Sequence, residues 1–138
     1  MQISVEVLVD APINQVWDAY ISPEDIVQWN FASDDWHTPS ATVDLRVGGK
    51  FVSRMEAKDG SEGFDFEGTY TKIIEQRLIE YSFGDRIAGI TFSEEPSGVR
   101  VTVSFEAEDM NSIEDQRAGW QAILDNFAKH VVSKISKR

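Results

Sequence analysis

Residues 119–130, GWQAILDNFAKH, decide the fold. Trp120, Ile123, Leu124, Phe127 and then Val131 recur at i, i+3, i+4, i+7 and i+11. That spacing places them in one apolar stripe along an α-helix. Ser112-Ile113-Glu114-Asp115 supplies its start, with a capping hydroxyl and an acid three residues later. A helix with one apolar stripe needs a broad apolar surface to lie on. The residues before it provide one, because about 41–106 read as a run of strands.

Those strands are separated by connections too short for anything but antiparallel neighbours. Gly48-Gly49 turns a short strand (Val43, Leu45, Val47) into a longer one (Phe51, Ser53, Met55, Ala57). Asp59-Gly60-Ser61-Glu62-Gly63 is a hairpin loop leading to Phe64, Phe66, Gly68 and Tyr70 on one face. Gly68 inside that strand predicts a bulge or the close approach of another element. Glu75-Gln76-Arg77, Gly84-Asp85 and Glu95-Pro96-Ser97-Gly98 turn into three further strands. The last alternates cleanly, Val99, Val101, Val103 and Phe105 against Arg100, Thr102, Ser104 and Glu106.

At the other end, Ile3, Val5, Val7 and Val9 alternate as a half-buried strand. Two short helices follow over about 12–30. Pro12 opens the first, which buries Ile13, Val16, Trp17 and Tyr20. Ser22 and Asp25 read as the capping box of the second. Residues 30–40, with Phe31, Trp36 and His37, read as an irregular, aromatic-rich loop and a candidate lid. The whole is an α+β chain: a curved antiparallel sheet wrapped around a C-terminal helix, one domain over 1–138.

Composition narrows the functions. The net charge is −11, which disfavours nucleic acid and anionic membranes. Lys129, Lys134, Lys137 and Arg138 gather in the last ten residues, where cations complement the carboxyl end of a helix. There is no cysteine, hence no disulfide framework or thiolate chemistry. Neither a signal peptide nor an apolar run long enough to span a bilayer is visible, so the expected location is cytoplasmic. The two histidines, His37 and His130, are far apart and form no metal-ligand pair. No cofactor fingerprint is present. His130 reads as a surface residue near the helix end, and His37 as a loop residue or a pocket acid–base group.

The opening AP-x-x-VWDAY (Ala11 to Tyr20), PEDIVQW (Pro23 to Trp29), VGGKF (Val47 to Phe51), F-x-F-x-G-x-Y (Phe64 to Tyr70) and GWQAILDNF (Gly119 to Phe127) together resemble the START-like, helix-grip (SRPBCC) superfamily. Within it, they resemble the AHSA1-like group, named for homology to the activator of the Hsp90 ATPase. The resemblance spans essentially the whole chain. It implies a seven-stranded antiparallel sheet gripping the last helix, two short helices between strands 1 and 2, and a cavity between sheet and helix. Relatives bind lipids, hormones, flavonoids or polyketides; some are cyclases, and some act in the Hsp90 system or in toxin resistance.

Most aromatic side chains fall on inward phases. Phe51, Phe66, Tyr70, Tyr81, Phe83, Phe92, Trp120 and Phe127 either fill the interior or, as the resemblance implies, line a cavity. Trp29, Phe31 and Trp36 sit at its open end, and His37, Tyr70, Tyr81 and Gln116 are the polar groups that would orient a ligand. The leading expectation is a non-enzymatic binder of a small hydrophobic molecule, lipid-like, aromatic or polyketide-like. The alternatives are a stress-related or Hsp90-type co-chaperone module using the outer sheet surface, and a cyclase- or hydrolase-like enzyme. A monomer or a weak homodimer through exposed strand edges is expected.

Overall fold

The structure, a computed structural model, describes residues 1–136. The chain runs β1 (Gln2–Val9), α1 (Ile13–Ile21), α2 (Pro23–Trp29), β2 (Trp36–Val43), β3 (Lys50–Ala57), β4 (Gly63–Ile74), β5 (Leu78–Phe83), β6 (Arg86–Glu95), β7 (Gly98–Glu106) and α3 (Ile113–Ser136). The strands form one seven-stranded sheet in the order β1-β7-β6-β5-β4-β3-β2. Every pairing is antiparallel. β2 to β7 are a meander, and β1 closes against β7 with Val5 opposite Val103 and Val9 opposite Val99. The α+β helix-grip architecture expected from the sequence is therefore the one observed.

The apolar alternation explains which face is buried. Ile3, Val5, Val9, Ile79, Ile90, Val99, Val101 and Phe105 are all buried on the concave face, where α3 sets Leu124, Phe127 and Val131 against them. Ser112 Oγ accepts the Asp115 N–H at 3.0 Å, the cap expected for α3. Gly68 has the close approach its position implied. A Cβ there would stand 2.6 Å from a Phe51 ring carbon and 2.7 Å from the Ser82 carbonyl oxygen.

Three local expectations are corrected. Residues 36–40 are strand, not loop. Pro39 concealed this, yet β2 is the sheet edge and its register shifts between His37 and Ser40, where a missing N–H costs no ladder bond. The alternation through Leu45 and Val47 is not a strand either. Residues 44–49 turn tightly, Val47 is exposed, and the Gly48 N–H donates to the Tyr70 carbonyl at 2.8 Å.

The third correction concerns Asp25 and His130. The Ser22 side chain makes no capping bond. Asp25 is buried instead, and its carboxylate meets His130 Nε2 at 2.8 Å and Lys134 Nζ at 2.9 Å. His130 is thus part of a polar tie between α2 and α3 rather than a surface group. Lys134 joins it there, while Lys137 and Arg138 lie outside the described residues. A sequence pattern cannot show this tie, because its partners are over a hundred positions apart.

Candidate functional site: a pocket under the sheet

The two ends of the interior are packed differently. At one end the aromatic rings fill it. Trp17 meets Phe92 edge-on at 5.2 Å, and Tyr20, Trp29 and Phe127 lie within 5.1 Å of one another between centroids. Tyr20 and Trp29 are the boundary of this filled end, and beyond them the interior is not filled. The backbone of α3 comes closest to β1 and that of α2 to β2, which are the opposite edges of the sheet. Between these two supports a pocket of about 280 Å³ remains over the middle strands.

Apolar walls come from Phe51 and Met55 of β3, Phe64 and Phe66 of β4, Ile79 of β5, Ile90 of β6, Val103 of β7, and Trp120, Ile123 and Leu124 of α3. Phe51 packs edge-on against Tyr81 at 4.8 Å, and Phe66 against Phe83 at 5.8 Å. Trp120 stacks on Phe105 at 4.0 Å with its plane tilted only 11°. Phe64 lines the pocket yet is half exposed, which marks the mouth, and Trp36 packs on it at 5.9 Å.

The polar lining is sparse and specific. Tyr20, Tyr70, Tyr81, Asn30, Ser53 and Arg86 contribute to it. Among the described residues no side chain or carbonyl hydrogen-bonds any of the three phenols, nor is a buried polar side-chain atom left without either a partner or access to open space. All three tyrosines line the pocket. Their protons are held tightly. Burial, then the neighbouring Tyr70, raises the Tyr20 phenol far above its ordinary value. Burial, then Asp44, pushes Tyr70 up to about 12. Burial is also the main cause for Tyr81, with Tyr20 and Tyr70 adding and Arg86 opposing.

These are the only tyrosines in the chain, so their titration is directly visible. An ordinary tyrosine is half ionised near pH 10. Here the neutral form is favoured by folding. The stability this contributes is complete below pH 10.0 and is lost as pH rises toward about 12. We expect the ultraviolet phenolate absorbance of the native protein to stay low at about pH 11 and to rise abruptly on unfolding by denaturant. A smooth native titration centred near pH 10 would mean that the phenols are open to water.

The residues singled out from sequence divide accordingly. Trp29, Phe51, Phe66, Tyr70, Tyr81 and Trp120 line the pocket. Phe92 and Phe127 lie in the filled end, and Phe83 stands behind Phe66 and Trp120. Phe31 and Trp36 are outside the lining. His37 points away from it, 3.9 Å from Glu56 on the neighbouring strand, because β2 continues through it in place of a lid. Gln116 is committed elsewhere. Its Oε1 accepts the Glu108 N–H at 3.0 Å, and its Nε2 donates to the Glu108 and Asn111 carbonyls, fixing the turn into α3. Of the polar lining residues, Tyr20, Asn30, Ser53 and Arg86 were missed. Two of them carried a signal, Tyr20 on the apolar stripe of α1 and Ser53 on the inward phase of Phe51 and Met55.

Chemically, the pocket offers hydrogen-bonding phenols, an amide, a hydroxyl and one guanidinium. No histidine, carboxylate or lysine is among its described lining residues. Among the described residues no group of three or more histidine, cysteine or acidic side chains is placed to hold a metal ion. Among the described residues no helix is long and apolar enough to cross a membrane.

A curled seven-stranded antiparallel sheet, a long gripping C-terminal helix and two short helices after the first strand define a helix-grip protein of the START-like class. The chain belongs to the family of Activator of Hsp90 ATPase homolog 1-like proteins, whose profile matches residues 10–132. It is 43% identical to an AHSA1-like protein from Aeromonas hydrophila, with 97% of this chain and 94% of that one covered and a TM-score of 0.91. A Cytophaga hutchinsonii protein, Chr148, is 40% identical over 99% and 96% of the two chains, with a TM-score of 0.83. A Nitrosomonas europaea protein, NE0264, shares the fold at 19% identity, with 99% and 97% coverage and a TM-score of 0.81. No curated protein matches the chain.

Proposed function

We propose that this protein binds a small hydrophobic molecule with an aromatic or similarly planar body in the pocket between the sheet and α3. The observation that carries this reading is the pairing of aromatic walls with three pocket-lining phenols that make no hydrogen bond to any described residue. Apolar burial would supply affinity, at ~25 cal/mol per Å² before ordering costs. The phenols, Asn30 and Ser53 would fix orientation. The lining supports binding ahead of acid–base catalysis, because its described residues include no histidine, carboxylate or lysine to serve as a base near neutral pH.

Ser53 provides the test. It is buried, points into the pocket and sits opposite Ala41 and Phe66 on the flanking strands. Ser53→Phe adds a ring to open space rather than to a packed core, so folding survives. In a thermal-shift screen of lipids, flavonoids and polyketides, at least one class should raise the melting temperature of the wild type dose-dependently. Saturation at ~100 Kd corresponds to about 2.7 kcal/mol of stabilisation. Ser53→Phe should abolish that shift. No shift with any compound, or an equal one in the variant, would contradict the proposal.

A further inference from the structure

Arg86 is the one charged side chain among the described residues that line the pocket. It opens β6 beside the mouth, and it is partly buried. Its surroundings differ from those of most other arginines in the chain. Arg46, Arg54, Arg100 and Arg117 each lie within 4.0 Å of a carboxylate. Arg86 has no such partner among the described residues.

The guanidinium is nonetheless held in place. Its carbon sits 4.4 Å over the centre of the Phe83 ring, and Nη1 donates to the Glu106 carbonyl at 3.1 Å. The nearby Glu106 carboxylate is engaged by the Ile87 N–H at 2.7 Å. A guanidinium has five N–H donors in a planar fork, and one contact leaves most of them free. Its field extends into the pocket, since it opposes the upward push on the buried Tyr81 phenol. Arginine remains charged at any physiological pH. A fixed, unpaired cation beside an aromatic pocket is suited to a carboxylate or another flat anion, which it can grip bidentately. The chain's net charge of −11 would otherwise discourage an anionic ligand, so this local cation decides whether one can enter.

We propose that the ligand is an aromatic acid, its carboxylate paired with Arg86 at the mouth and its rings lying among Phe66, Tyr81 and Trp120. This rests on the pocket being a ligand site. The two ideas are separable with a matched pair of probes, 2-naphthoate and 2-naphthamide, which have the same shape and differ in charge. Calorimetric titration at low salt should give the acid an affinity about 10-fold above that of the amide, as a charge-assisted bond supplies. In Arg86→Met the ratio should collapse toward one, and in Arg86→Lys it should remain above one. Equal affinities in the wild type, or a ratio indifferent to Arg86→Met, would overturn the acid while leaving a pocket that binds neutral rings. Failure of both probes to bind the wild type would overturn the ligand reading itself, and the acid with it.

Discussion

Trp120→Ala should lower stability by about 2–3 kcal/mol and cut ligand affinity by at least ~10-fold. The indole has two roles on two faces. One face stacks on Phe105 at 4.0 Å, and Phe105 is fully buried on β7, beside the β1 edge of the sheet. The ring also borders the pocket and meets Phe66 at right angles at 6.1 Å. Because Trp120 is only partly buried, its truncation costs less than the ~3–5 kcal/mol of a fully enclosed tryptophan. The hole left behind merges with the pocket, so a ligand loses one wall and its fit. Chemical denaturation and calorimetric titration read the two effects separately. A stability loss with unchanged affinity would place the ligand elsewhere.

Phe127→Ala, two helical turns later on the same stripe, should be costlier to the fold, about 4 kcal/mol. Its ring has no exposure and is clamped edge-on by Tyr20 and Trp29, at 5.1 and 5.0 Å. Truncation leaves a closed cavity at the filled end of the interior, where collapse is resisted by α1 and α2. For a chain of this size, the melting temperature should fall on the order of 12 °C. The ratio of the two losses tests the division of the interior. If Trp120→Ala proved the more damaging to stability, the filled and open ends would have been assigned the wrong way round.

That division was only half legible in the sequence. The strand alternation and the α3 stripe identified the inward face, because burial on one face imposes a period of 2 on a strand and 3.6 on a helix. The same periods say nothing about whether facing side chains touch. Phe92 and Phe66 both read as inward; one meets Trp17 in the packed end, the other borders open space. The difference arises from where α2 and α3 rest on the sheet, which is a property of the assembled edges. His37 and Gln116 illustrate a second gap. Polar residue type made each a candidate, but a strand pairing with β3 and a turn into α3 claimed them. Arg86 was overlooked because a residue just after Gly84-Asp85 reads as part of a polar turn. The Asp25 tie to His130 and Lys134 needed the tertiary structure outright.

A ligand held between the sheet and α3 should reveal itself in nuclear Overhauser contacts from a bound aromatic probe. With isotope-labelled protein and saturating 2-naphthoate, the probe protons should show contacts to Trp120, Phe66, Tyr81 and Ile123 side chains. Contacts confined to exposed apolar residues such as Ile87, Val47 or Met110, with none to the pocket walls, would contradict that location.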